Sequence, residues 1–387
     1  TEDYSGISIS LSGDGQKIAI GSSKHGLSNK GHVRVFRLSG GISWVQEGGN
    51  IDGEAAADES GRTVSLNNDG TILAIGAILN DGNGNRSGHV RVYHWDGSNW
   101  VQRGADIDGE AAEDQAGYVS LSSDGTVLAI GAPRNDGNSG DINDDRGHVR
   151  VFHWDGSNWV QRGADIDGES GGTPTKPGDL SGNYLSLSDD GSTVAIGAYR
   201  NDGNSGNIDD NRGHVRVYNW DGSNWVQRGV DIDGEAETDY SGHSVSMNND
   251  GTIVAIGANQ NDGNSGNSGD NRGHVRIYKW DGSNWVQRGT DIDGENDSVL
   301  FSSPEPIMSP SWSSNGKEIA YVSFEEGQSR IYIQEVYTGK RKSLKLEPGI
   351  NSSPNWSPKD KYLAAVLSKG NNPDIYSYDI KKNRWKR

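Results

Sequence analysis

The string GHVRVFHWDGSNWVQRGADID, Gly147 to Asp167, returns nearly unchanged at Gly88, Gly213 and Gly273 and in degraded form at Gly31. Five copies of one motif constrain the architecture sharply, because a fixed period marks an array of similar supersecondary units. Within the motif HVRVF alternates with period two, WVQRG resumes as a strand, and Asp155-Gly156 between them is a strong hairpin-turn dipeptide. The motif histidine falls at His32, His89, His148, His214 and His274, at spacings of 57, 59, 66 and 60 residues. A second hairpin precedes each copy, as in Tyr118 to Leu121, the turn Ser123-Asp124-Gly125 and the apolar run Val127 to Ala132. Four short strands per repeat is the pattern of a propeller blade, and an unalternating run such as Thr252 to Ile256 suits a strand buried on both faces.

After residue 295 the motif disappears but the four-strand frame continues. Ser311 to Tyr321 stands in register with Val245 to Ala255, and Asn355 to Asp360 followed by Tyr362 to Leu367 repeats it; Ile331 to Ile333 and Ile375 to Tyr378 supply third strands. The reading is therefore all-β: residues 1–387 as one β-propeller of seven four-stranded blades. The blades are placed at 1–50, 51–106, 107–166, 167–232, 233–295, 296–346 and 347–387. The chain opens on an innermost strand and ends near an outer strand at Arg384-Trp385, so closure is expected from blade packing without an exchanged strand. Polar, Gly-rich segments of variable length, such as 201–211 and the insertion 171–179, are expected to project from one face.

Charge divides the chain in the same place. Residues 1–300 carry 22 basic and 45 acidic side chains, whereas 301–387 carry 14 and 9, so most of the molecule repels nucleic acid and anionic membrane. No cysteine is present, which removes disulfides and thiolate chemistry. No apolar run approaches the ~20 residues that span a bilayer. With no leader at Thr1, the expectation is a soluble chain or a mature form.

The first five units resemble the FG-GAP propeller repeats of integrin α-chains, through GHVRVY in place of a Gly-x-Val-x-Val strand and Ile130-Gly131-Ala132-Pro133 in place of the "GAP". The FG element is degraded to Ser241-Gly242-His243 or Ala116-Gly117-Tyr118. The family's calcium loop is cut to Asn249-Asp250-Gly251, so its calcium binding is not carried over. The last two units resemble TolB-type propeller blades, through Pro306 to Ser313, Ile319 to Phe324, Tyr337 to Arg341 and Asn372 to Tyr376. The join of the two types near residue 295 reads as a hybrid, engineered or recombined. Both resemblances imply a periplasmic or extracellular setting and a protein partner.

Among candidate chemistry, the motif histidines read as packed or hydrogen-bonded groups, since equivalent residues in a repeat mark repeated packing first. Arg91, Arg150, Arg216 and Arg276, with Arg103, Arg162, Arg228 and Arg288, are expected to form cross-strand or inter-blade ion pairs with Asp106, Asp165, Asp231 and Asp291. The pairs Trp95/Trp100, Trp154/Trp159, Trp220/Trp225 and Trp280/Trp285 staple the hairpin or, if a ring is exposed, form a sugar platform. The loops Asn201 to Asp210 and Asn261 to Asp270 offer oxygens to calcium, though their spacing also suits plain turns. No catalytic, cofactor-binding or metal-ligating residue is assigned and no cofactor is expected. The function read from the sequence is a non-enzymatic scaffold for protein partners, with glycan binding at the tryptophans, or a hybrid propeller with no dedicated ligand, as alternatives.

Overall fold

The structure is a computed structural model that describes residues 3–386 apart from 26–27, 138–140, 142, 174–175, 204–206, 208, 263–270, 294–306, 325–328, 337, 345–350 and 370–371. Among the described residues there is no helix, and the strands form seven antiparallel sheets, each built from consecutive strands. The chain is a seven-bladed β-propeller. The third sheet is typical: Tyr118–Leu121 is innermost, followed by Val127–Ala132, His148–Trp154 and the outer strand Trp159–Gln161. The sixth and seventh sheets begin at Ile307–Trp312 and Asn351–Trp356. The join near residue 295 lies outside the described residues.

Two local features differ from the sequence reading. A two-residue strand follows each of the first five outer strands, and the boundaries placed at 51, 107, 167 and 233 cut beside or through it. Ile51–Asp52, Ile107–Asp108, Ile166–Asp167, Ile232–Asp233 and Ile292–Asp293 all pair with the third strand of the preceding sheet. The outer strand is thus interrupted: Trp159–Gln161 pairs with one end of His148–Trp154 and Ile166–Asp167 with the other. The hairpin turn is also longer than Asp155-Gly156 alone. Trp154 pairs with Trp159, and Asp155 to Asn158 form a four-residue loop in which the Asp155 carboxylate accepts the Ser157 and Asn158 amides, both at 2.7 Å.

The cores sit between the blades. One cluster joins Ala74, Val90 and Val92 of the second sheet to Leu121, Leu128, Ile130 and Phe152 of the third, and a comparable cluster occupies each of the other junctions. This explains the unalternating second strands: Val127–Ala132 is buried along its whole length because a neighbour covers each face. The glycine of the Ile-Gly-Ala run has a steric reason. A Cβ on Gly131 would strike the carbonyl of Gly182 in the next blade, and one on Gly76 would strike that of Gly117.

Polar bonds fasten six junctions at the inner edge and four at the outer. On the inside, a serine hydroxyl of one innermost strand accepts a backbone amide from the next: Ser10 from Leu66 at 2.8 Å, Ser65 from Leu121 at 3.0 Å, Ser120 from Leu187 at 3.0 Å. Ser186, Ser246 and Ser311 continue the series to Met247, Trp312 and Trp356. On the outside, the second tryptophan of each pair donates its indole N–H to the preceding blade: Trp100 to Glu47, Trp159 to Arg103, Trp225 to Arg162 and Trp285 to Arg228, at 2.7–3.1 Å.

The ring closes between first and seventh blades, with no strand exchanged. Its cluster is the smallest, with Leu11, Ile18, Ile20 and Ala364 as the buried members. A cavity of about 510 Å³ lies alongside, between Ile18, Ile20, Phe36 and Trp44 on one side and Val366 and Ile375 on the other. Among the described residues this junction thus buries fewer apolar side chains than the other six. Amides of Ser5–Leu11 and Tyr362–Leu367 are therefore expected to exchange hydrogen faster than those of Tyr118–Leu121 and Val127–Ala132, measured by mass spectrometry. Gly131→Ala is expected to cost about 1–3 kcal/mol in urea unfolding, while Gly49→Ala, where nothing lies within 4 Å, should leave the midpoint unchanged.

Candidate functional site

Innermost strands from all seven blades line a central channel of about 620 Å³. Its wall is mainly serine and small apolar side chains, and the hydroxyls of Ser10, Ser65, Ser120 and Ser186 are engaged by backbone amides of the next blade. The chemistry changes at one mouth. There the start of each innermost strand and the end of each second strand carry residues that differ among otherwise near-identical repeats. At or beside the start of the innermost strands, Ser8, Thr63, Tyr118, Tyr184 and Ser244 share one position, opposite a glycine of the second strand, and Ile7, Arg62, Gly117, Asn183 and His243 the one before it; Leu79, Arg134, Arg200 and Gln260 follow the second strands.

These positions assemble an aromatic and cationic group. Tyr184 lies 4.9 Å from His243 and 6.4 Å from Tyr199 between ring centres, and Tyr199 lies 6.0 Å from Tyr240. The Arg200 guanidinium stands 5.8 Å from the rings of both Tyr199 and Tyr240. Burial raises the phenols of Tyr118 and Tyr184, with Arg62 partly opposing at both, and burial lowers His243 so that it is neutral near pH 7. The sequence reading singled out none of these as a site. Their signal was the mismatch between repeats, which is informative only once those positions are known to share one end of the ring.

The residues that reading did single out lie further out. All five motif histidines are buried, and in four of them Nδ1 faces the glutamate that ends the IDGE run of the preceding blade: His89 to Glu54 at 3.8 Å, His148 to Glu110 at 3.8 Å, His214 to Glu169 at 3.8 Å, His274 to Glu235 at 3.6 Å. Asp106, Asp165, Asp231 and Asp291 complete each group, with one ligand atom per residue and all within 4.8 Å of one another. These glutamates went unrecognised because they stand a constant 21 or 22 residues after the histidine of their own repeat. Their partner is the histidine of the next repeat, separated by loops of variable length.

The arginines pair differently from the expectation. Arg91, Arg150, Arg216 and Arg276 face the same glutamates at 3.6–3.8 Å and donate to the carbonyls of Asp52, Asp108, Asp167 and Asp233 in the preceding blade. Gln102, Gln161, Gln227 and Gln287 hold the aspartates instead. Arg103 donates to Gly125 O and lies 4.6 Å from the Trp154 ring centre, and Arg162 and Arg228 repeat this against Gly191 and Gly251 and against Trp220 and Trp280. The tryptophan pairs, 5.5 Å apart and tilted, thus pack on the guanidinium of the neighbouring blade as well as on each other. In the loop read as a calcium candidate, Asn201 Oδ1 accepts the Gly203 amide and Asp202 Oδ1 the Asn211 amide, as turn formation requires; 204–206, 208 and 263–270 lie outside the described residues.

Burial sets a pH dependence. It lowers the imidazoles of His214 and His274 from 6.5 to about 3, and that of His32 to about 4. Between pH 6.5 and those values the unfolded chain binds protons that the native chain does not, so stability is full above pH 6.5 and falls with acidification. Burial raises the carboxyls of Glu169 and Glu235, which works in the opposite direction but at lower pH. At pH 5 each deeply buried histidine is expected to subtract about 2 kcal/mol relative to pH 7. His214→Asn with His274→Asn should flatten the dependence of the urea midpoint between pH 7 and 5, and an unchanged slope would exclude these histidines as its source.

Comparison with known proteins adds a second line. The family model described as the TolB beta propeller domain matches residues 278–387. The Tol-Pal system protein TolB of Ruthia magnifica subsp. Calyptogena magnifica is 41% identical over 100 residues, 25% of this chain and 23% of that protein. That of Xylella fastidiosa is 52% identical over 64 residues, 16% of this chain and 15% of that protein. The matches span less than a quarter of the length of these curated relatives. A putative 6-phosphogluconolactonase from Bacteroides uniformis superposes with a TM-score of 0.60 at 14% identity, covering 96% of this chain and 94% of that one. The periplasmic gluconolactonase PpgL of Pseudomonas aeruginosa gives 0.59 at 14% identity with the same coverage, a likeness of fold. The chain is a seven-bladed propeller whose segment 278–387 is similar to the TolB beta propeller domain.

Proposed function

We propose that this chain is a non-enzymatic propeller that binds a protein partner across the face bearing the aromatic and cationic mouth. The observation that carries the reading is where the repeats differ. Elsewhere in the repeat, side chains are committed to holding blades together, through Ser120, Gly131, Arg150 and Trp159 and their equivalents. At the mouth Arg62, Tyr118, Tyr184, Tyr199 and Arg200 share no such repeated duty, and half-buried aromatics with arginine are the composition of interaction hot spots. Asp145 pairs with Arg134 beside the mouth and residues 1–300 carry a large acidic excess, so a partner with basic residues at its periphery and an aromatic or acidic group at its centre fits the charge. The similarity of 278–387 to TolB, a Tol-Pal system protein, supports a periplasmic setting and a protein-binding role. The finer reading of the first five blades as FG-GAP-like, joined to two TolB-like ones, rests on the motifs.

The glycan alternative has less support, since the tryptophan rings pack on Arg103, Arg162 and Arg228. Capture from periplasmic extract, by cross-linking to the full chain, is expected to retain a protein that Tyr184→Ala with Arg200→Ala releases and Ser157→Ala, on the opposite face, does not. Equal retention by all three chains would overturn the proposal. Purified Pal is expected not to bind, because the matched segment is under a quarter of TolB.

A further inference from the structure

Four junctions, between the first and second, second and third, third and fourth, and fourth and fifth blades, repeat one group of atoms: a glutamate from one blade with a histidine and an aspartate from the next. The carboxylates are crowded but not bonded to the imidazole. His Nδ1 to glutamate Oε2 is 3.6–3.8 Å, beyond a hydrogen bond, and His89 Nδ1 stands 4.0 Å from Asp106 Oδ2 and from Asp108 Oδ1. At the fourth junction His274 is 1% exposed, and its Nδ1, turned toward Glu235, has no hydrogen-bond partner. A buried polar atom without a partner is unfavourable, so an unpaired nitrogen turned toward the Glu235 carboxylate suits a group that both can bind.

We propose that each of these four groups binds a divalent transition-metal ion, of the Zn²⁺ class, through His Nδ1, Glu Oε2 and Asp Oδ2, clamping adjacent blades. The outer oxygens are already oriented for this. In the fourth group Oε1 of Glu235 is held toward Arg276 and Oδ1 of Asp291 by Gln287, which leaves Oε2 and the second aspartate oxygen for the ion. Ligands about 2.1 Å from a tetrahedral ion lie about 3.4 Å from each other, so the His–Glu pairs at 3.6–3.8 Å close by a few tenths of an ångström and the aspartate, 4.0 Å from His89 in the first group, moves further. One imidazole with two carboxylates favours such an ion over calcium, which takes six to eight oxygens. Charge agrees: Glu110, Asp165, Asp167 and Asp114 crowd one Arg150 at the second junction.

The chain carries its own control. In the first blade His32 has Asn50 at the position of Asp106, and Gln46 donates to its side chain. The blade before it is the seventh, which has no IDGE run, so His32 meets His25 at 3.9 Å between ring centres in place of a glutamate. The motif histidine was read as a packing residue because its ligands lie in two different repeats. The proposal is independent of the partner-binding face.

Calorimetric titration of the chelator-treated full chain with Zn²⁺ at pH 7.5 tests it. Four ions per chain are expected, three in Glu110→Gln, and none at these sites in the variant with Glu54, Glu110, Glu169 and Glu235 all changed to Gln. The glutamates are 42–46% exposed, so the glutamines should be tolerated, and circular dichroism of each variant checks the fold. The melting temperature of the unaltered chain should rise with Zn²⁺ and return on chelation. No binding by the unaltered chain, or the same number of ions in the folded fourfold variant, would overturn the proposal.

Discussion

Face-to-face burial between successive sheets is the contact on which everything else depends. A blade such as the third has apolar residues on both sides of Val127–Ala132, and only a neighbour on each side removes them from water. A four-stranded sheet of this kind cannot be stable alone, so stability is shared along the array as nearest-neighbour terms. The glycines of the second strands set how close the sheets come. With a bare Cα at Gly131 the backbone of Gly182 can approach to contact, and the serine, tryptophan and arginine bonds at the edges are within reach only at that spacing.

The same near-identical sequence therefore does several jobs at each junction. Ser120 closes the inner edge, Trp159 the outer edge, and Arg150 the end bearing the variable loops, each by bonding the backbone of an adjacent blade. Bonds to backbone atoms tolerate side-chain variation in the partner, which suits an array whose repeats have drifted in loop length. The junction between first and seventh blades joins unlike sequences and has a cavity of about 510 Å³ beside its small apolar cluster. Lys386 reaches across it to Gly41 O, a part-buried bond unlike the repeated set.

Much of the architecture was legible in advance. The period of the motif histidines, the paired hairpins and the apolar second strands together specify blades, and Tyr321 and Leu363 fall where the frame extended past residue 295 places buried second strands. The differences are local: Asp155-Gly156 is the start of a four-residue loop and not the whole turn, and Ile51–Asp52 and Ile107–Asp108, placed by the sequence in the following blade, pair with the third strand before them. Both differences have the same origin, since a strand pair and a turn type depend on which backbone groups meet. The candidate site was less legible. Tyr184, Tyr199 and His243 lie in different elements, the first and third in different blades, and nothing in their spacing announces a cluster.

By itself the sequence determined the unit and its number, because hydrophobic periodicity and turn chemistry act over a few residues and recur with each copy. Its acidic excess over residues 1–300 also carries the expectation that most of the surface repels nucleic acid. Only the tertiary structure decided which residues of one copy face which residues of the next. Glu110 meets His148 and not His89, and Trp159 meets the Arg103 carbonyl, because the ring rotates each blade against its neighbour and brings the end of one repeat beside the start of the following third strand. Side-chain contacts between successive repeats span 22 to 67 residues of chain with loops of unequal length, so no fixed spacing in the sequence could encode them.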